Sequence, residues 1–231
     1  FMDGANKNGH DPKKSGELFD LMAKFAEYGF NKSHAAAYCV VAGQTAWLKN
    51  YYPVEFYAAL LNTELSDTDK IVKYIKDARK HDIQVKPPDV NFSEHGFTVK
   101  DSDVFFGLGA IKGVGQSAVE AILEARAPKE NQRFESLSDF FMSVDLRRVN
   151  KKVIESLTKA GAFDNFGTHR AKLYAGFEKF IERAEVERTD RELGQSSLFN
   201  MIEEESSEKE IVLPEVAAWT KSARLNCEKE V

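Results

Sequence analysis

The chain has 231 residues, 32 basic and 37 acidic groups, a formal charge of −5 and 42 % apolar residues, which excludes a disordered or fibrous chain. No apolar run approaches the ~20 residues a membrane span needs, and the first residues carry no signal-peptide pattern. Two cysteines, Cys39 and Cys227, exclude a disulfide framework and a thiolate zinc site and suit a reducing cytosol. The chain stops in a charged run, Glu228-Lys229-Glu230-Val231, and reads as a piece of something longer.

In chain order, residues 1–15 are rich in Gly, Asn, Lys and Asp and read as loop. Ser15 is the expected cap of a first helix over Leu18, Leu21, Met22 and Phe25, stopped at Gly29. A second helix is expected from about Ser33 to Asn50, and a third from Pro53 through Phe56, Leu60 and Leu61. A fourth, capped by Asp67 or Thr68, carries Ile71, Val72, Ile75 and Ala78. Pro87 and Pro88 break the helical pattern. Residues Asn91 to Phe106 alternate about a turn at Asp101–Asp103, an expected β-hairpin and the strongest strand signal. From Leu108 to about Val186 the periodicity is helical again. Beyond Arg188 it fades, and Gln195 to Glu210 reads as linker. The expected fold class is mainly α with a small β-hairpin element.

An internal repeat is the most informative feature. Gly109-Ala110-Ile111-Lys112-Gly113-Val114-Gly115 returns 52 positions later as Gly161-Ala162-Phe163-Asp164-Asn165-Phe166-Gly167, and an apolar helix follows each copy. Each is expected to be helix, tight turn, helix, with left-handed backbone at more than one position. Ile111 and Val114, or Phe163 and Phe166, would plug the two helices together. The following helix then begins with open N–H groups, and those donors together with the helix dipole favour an anion. Residues 108–183 carry thirteen basic against ten acidic groups, whereas residues 184–231 carry six against twelve. The basic residues matter only where such a backbone sits beside them. The alternative is that both turns merely join packed helices.

The duplicated scheme resembles a tandem helix-hairpin-helix unit, which grips duplex DNA by its phosphates without reading sequence. The resemblance implies contacts from Lys112, Gly113, Val114, Gly115, Gln116 and Ser117 in the first copy and from Asn165, Gly167, Thr168 and Arg170 in the second. The second copy departs from the first, with Asp164 in the place of Lys112 and Asn165 in that of Gly113; an acidic group repels phosphate, so this copy serves mainly as structural partner or binds through Thr168 and Arg170.

Phe30-Asn31-Lys32-Ser33-His34-x-Ala-Ala-Tyr38, then Gln44-Thr45-Ala46-Trp47-Leu48-Lys49 and Tyr52-Pro53-Val54-Glu55-Phe56, resembles the fingers of the bacterial DNA polymerase III alpha subunit family, the C-family replicative polymerases. Pro87-Pro88-Asp89-Val90-Asn91 and Phe106 through Gly115 match the same family in the same order. The resemblance implies fingers helices with a small β element over 1–107 and a tandem helix-hairpin-helix DNA-binding unit over 108–186. It also implies a linker over 187–231 that leads into an oligonucleotide-binding domain. Asn31, Lys32, Ser33 and His34 would face the incoming dNTP. Gln195-Ser196-Ser197-Leu198-Phe199 resembles the family's clamp-binding peptide. There Gln195 would hydrogen-bond the beta sliding clamp while Leu198 and Phe199 enter its apolar pocket. The implied partners are double-stranded template–primer DNA, dNTP, the clamp and other replicase subunits in a bacterial cytoplasm, with no membrane.

No catalytic residue is expected in this segment. The family's palm aspartates, which bind Mg²⁺, would lie upstream. Asp67-Thr68-Asp69 reads as a helix cap and Asp101-Ser102-Asp103 as a hairpin turn, and the five histidines show no metal spacing. The rival functions are a repair-type helix-hairpin-helix DNA-binding module and an all-α protein-interaction scaffold.

Overall fold

The computed structural model describes residues 1–28, 32–65, 67–192 and 211–231. It divides into two compact units, Phe1–Tyr52 and Pro53–Val231. The first unit holds three helices: α1 (Met2–Lys7), α2 (Pro12–Tyr28) and α3 (Lys32–Tyr51). The loop expected over residues 1–15 is therefore mostly helix. Pro12 occupies the first helical position, where its missing N–H costs nothing. The Asp11 carboxylate accepts the Lys14 N–H (2.9 Å) and caps α2, while Ser15 is buried within the helix instead of capping it.

The second unit opens with α4 (Pro53–Asn62) and α5 (Thr68–Lys80). The Asp67 carboxylate caps α5 by accepting the Lys70 N–H at 3.1 Å. Strands β1 (Val85–Lys86), β2 (Thr98–Lys100) and β3 (Asp103–Phe105) follow, in the order β1-β3-β2. The expected hairpin pairs β2 with β3 antiparallel, Val99 opposite Val104, and it turns through Asp101 and Ser102 at positive φ. A two-residue turn with both φ positive matches the twist of the strands. Strand β1 pairs parallel with β3 and had no signal in the sequence, being two residues long and followed directly by Pro87-Pro88. Tyr57, Leu61, Ile71, Ala78, Ile83, Phe97 and Val104 form one core, with α4 and α5 against this sheet.

A second and larger core belongs to α6 (Gln116–Arg126), α7 (Leu137–Ser143), α8 (Lys151–Ala160), α9 (Arg170–Gly176) and α10 (Glu178–Glu192). Its centre is aromatic: the Phe140 ring lies 4.9 Å from that of Phe163, and Phe141 stacks on Phe180 at 4.9 Å. Residues 211–231, including α11 (Lys221–Glu230), fold back onto this core. Leu213 is buried in it, and its side chain and that of Pro214 close over Gly176, where a Cβ would clash.

The string Pro88-Asp89-Val90-Asn91 braces the unit. The Val90 N–H donates to Ala162 O (3.0 Å), while the Asn91 amide both donates to Phe134 O (3.0 Å) and accepts the Phe134 N–H (2.8 Å). The buried Arg126 donates to Val90 O and Ser93 O.

Candidate nucleic-acid interface

The two copies of the repeat share letters more than backbone. In the first, a single 3₁₀ turn, Leu108–Ala110, replaces the expected leading helix, because β3 ends at Phe105 and leaves no room for a longer one. Only Gly113 is left-handed, at φ +89°, while Gly115 is extended (φ −79°, ψ 162°) and stands at the N-cap of α6. In the second, Gly161 (φ +88°) ends α8 and Gly167 (φ +74°) leaves a 3₁₀ turn that contains Asn165. More than one left-handed position, expected in each copy, therefore occurs in the second alone.

The plugs are present. Ile111, Val114 and Phe163 are buried, and Phe166 packs partly buried against the same core. With these anchors turned inward, Lys112, Gly113, Gly115, Gln116 and Ser117 face solvent. The Val114 N–H donates to Ile111 O, and the Ala118 and Val119 N–H groups donate to Gly115 O. The Lys112 N–H donates to Val231 O. The amides of Gly113, Gly115, Gln116 and Ser117 have no hydrogen-bond partner among the described residues. Four unpartnered donors on exposed residues thus lie at or just before the positive end of an eleven-residue helix, which suits an anion. Gly113 lies against α8, where a Cβ would sit 3.0 Å from Ser156 Oγ. One turn earlier on that helix Lys152 is exposed, and neither it nor Lys112 forms an ion pair with a described residue.

At the second hairpin Asn165 is exposed and donates to Asp89 Oδ1 at 3.3 Å. Gly167 is exposed and Thr168 half-buried. Arg170 points inward. Its guanidinium is 7 % exposed, grips Asp164 through Nε and Nη2 (2.9 and 2.7 Å), and also donates to Glu228 (2.6 Å) and Lys159 O (3.0 Å). Burial works against that charge, but the two carboxylates outweigh it and hold Arg170 more firmly protonated than usual. Gly161 leaves the space the guanidinium fills. Asp164, which departs from the first copy's lysine, is thus the partner of an internal arginine. The acidic last segment also takes Lys159 through Glu230 (2.8 Å) and Lys172 through Glu215 (2.7 Å). Sequence reasoning missed this seating, since its ion pairs join residues 43 to 71 positions apart.

In the first unit Ser33 and His34 lie exposed in the first turn of α3, and the His34 ring is 4.5 Å from Tyr38. Asn31, the Lys32 side chain, Gln195, Leu198 and Phe199 lie outside the described residues. Among the described residues no three His, Cys, Asp or Glu side chains gather as a metal site needs.

Residues 82–173 match the family model described as a helix-hairpin-helix motif. The chain is 41 % identical over 231 residues to the DNA polymerase III subunit alpha of Vibrio cholerae, covering 100 % of this chain and 20 % of that protein. It is 45 % identical over 215 residues to that of Pseudomonas aeruginosa (86 % and 18 %) and 44 % identical over 231 residues to that of Deinococcus radiodurans (100 % and 17 %). The chain therefore spans about a fifth of the length of these relatives.

Proposed function

We propose that this chain, which carries a helix-hairpin-helix motif and is similar along its length to a fifth of a bacterial DNA polymerase III alpha subunit, binds the duplex of template and primer DNA during replication by gripping phosphates. The observation that carries the reading is the set of open amides at Gly113, Gly115, Gln116 and Ser117, flanked by Lys112 and Lys152. Backbone donors are indifferent to base identity, as a replicative polymerase requires of its grip on product duplex. The lysines add counterion release, so affinity falls as salt rises. Asn165, Gly167 and Thr168 meet the other strand, and Arg170 braces the second hairpin from inside.

In this reading the first unit supplies part of the fingers, with Asn31, Lys32, Ser33 and His34 toward the incoming dNTP. Gln195, Leu198 and Phe199 tether the enzyme to the sliding clamp by burying an apolar pair, a contribution of ~3–6 kcal/mol before ordering costs. Polymerisation belongs to the whole enzyme, whose Mg²⁺-binding palm lies outside these 231 residues in this reading.

The test is a titration of labelled duplexes of two unrelated sequences across a range of salt, with and without clamp. The expected result is equal affinity for both duplexes, a steep fall with salt, and retention by the clamp that Leu198→Ala with Phe199→Ala abolishes. Strong preference for one sequence, or no salt dependence, rejects phosphate gripping. Retention unchanged in the double variant rejects the tether alone.

A further inference from the structure

We infer, on the strength of that reading, that Arg148 is a positioning residue for the phosphate-gripping turn, acting through α6 and not by touching DNA. Ser117, Glu120 and Glu124 follow one another at spacings of three and four and so share one face of α6. Arg148 reaches across that face from another part of the chain. Its Nε donates to Ser117 Oγ (3.1 Å), its Nη2 to Glu120 (3.2 Å) and its Nη1 to Glu124 (2.6 Å). Ser117 carries one of the open amides. Glu120 stands one turn behind it and accepts the Gln116 side-chain N–H at 2.9 Å.

The arginine is delivered from a rigid turn. Its own N–H and that of Val149 both donate to Asp145 O (3.0 and 2.8 Å), Val149 is fully buried, and Asn150 caps α8 by accepting the Val153 N–H. A guanidinium fixed in this way does two things for the site. It ties the first turn of α6 to the loop before α8, the helix against which Gly113 rests. It also neutralises two carboxylates that would otherwise repel a phosphate held at the helix start. With all three nitrogens of its guanidinium engaged by Ser117, Glu120 and Glu124, Arg148 keeps two of its five N–H groups, and the two carboxylates it serves stand between its charge and a phosphate.

A purely structural ion pair would show its loss in the melting temperature and leave DNA binding unchanged. Pairs this exposed contribute little to stability, so Arg148→Gln leaves the melting temperature almost unmoved. Its effect falls on DNA binding, which weakens roughly five- to thirty-fold at low salt.

The experiment is a cycle on the full chain with a labelled duplex across a salt series: wild type, Arg148→Gln, Glu120→Gln with Glu124→Gln, and all three together. The expected result is that Arg148→Gln weakens binding in the native background and has an effect of less than about twofold once both glutamates are amides, since there is then no charge to neutralise. The dependence of affinity on salt should keep its slope, whereas loss of a direct phosphate contact lowers it by about 0.9. An equal loss in both backgrounds, or a slope lower by one charge, makes Arg148 a DNA contact and overturns the inference. Wild-type affinity in Arg148→Gln overturns it too. Absence of binding by the wild type removes the reading on which it rests, an outcome distinct from the others.

Discussion

Gly115 offers a perturbation that should move stability and DNA affinity in opposite directions. It stands at the N-cap of α6 with φ −79° and ψ 162°, a conformation any residue adopts, and a Cβ there meets nothing within 4 Å. Aspartate therefore fits without strain. Its carboxylate would accept the open Ser117 N–H and complement the helix dipole, a gain of a few tenths to about 1 kcal/mol. The same carboxylate would stand where the phosphate is held. Two unit charges ~5 Å apart repel by ~1 kcal/mol in water and ~3 kcal/mol at an effective dielectric of about 20. Duplex affinity of Gly115→Asp should then fall from about fivefold to a few hundredfold. The contrast is Gly113→Ala, where φ +89° and the approach to Ser156 Oγ make any side chain strained. That variant should lose ~1–2 kcal/mol of stability. Thermal melting and fluorescence anisotropy with a duplex at fixed low salt read both quantities. If Gly115→Asp binds duplex as tightly as the wild type, the open amides are not the phosphate site.

Arg170→Gln should cost about 1–3 kcal/mol of stability, because Asp164 and Glu228 lose a buried partner but are themselves partly exposed. The salt slope of DNA binding should stay as it was, and a drop of about 0.9 would turn Arg170 into a phosphate contact. Asp89 responds to pH. Burial raises its carboxyl above the usual 3.8, against the opposing pull of the Asn91 amide and of Arg126 and Arg133. The folded state therefore holds that proton more tightly, and the stability it contributes is present below 3.8 and lost as pH rises through the folded value. Asp89→Asn should remove that decline and match or exceed the wild-type melting temperature near neutral pH; a variant much less stable there refutes the assignment. Asp139 runs the other way. Burial raises it, but the Lys129 ammonium and the Glu135 amide outweigh burial, so its contribution is kept above the usual carboxyl range and lost as pH falls through the folded value.

Much of the fold could be read from local pattern. Asp67 as a cap, Pro53 as a helix start and the hairpin about Asp101–Ser102 are encoded within a few residues, where side chain and backbone choose conformation together. The anchors Ile111, Val114 and Phe163 were legible for the same reason, as apolar residues at fixed offsets from glycines. The repeat itself was only partly a guide. Gly109 and Gly161 occupy equal places in the scheme, yet one lies inside a 3₁₀ turn against the His95 ring and the other is a left-handed helix end.

What local pattern determined, then, is where helices begin, which residues turn inward and where open backbone donors arise. What only tertiary structure decided is which charges remain available to a ligand. Arg170 reads in the sequence as a surface cation behind a glycine turn, but Asp164, Lys159 O and Glu228 draw it inside. Arg148 reads as one of a basic run, but α6 engages all three nitrogens of its guanidinium. The physical reason is that a long cationic side chain is satisfied by whichever acceptors the folded chain brings within reach, and those lie up to 71 residues away.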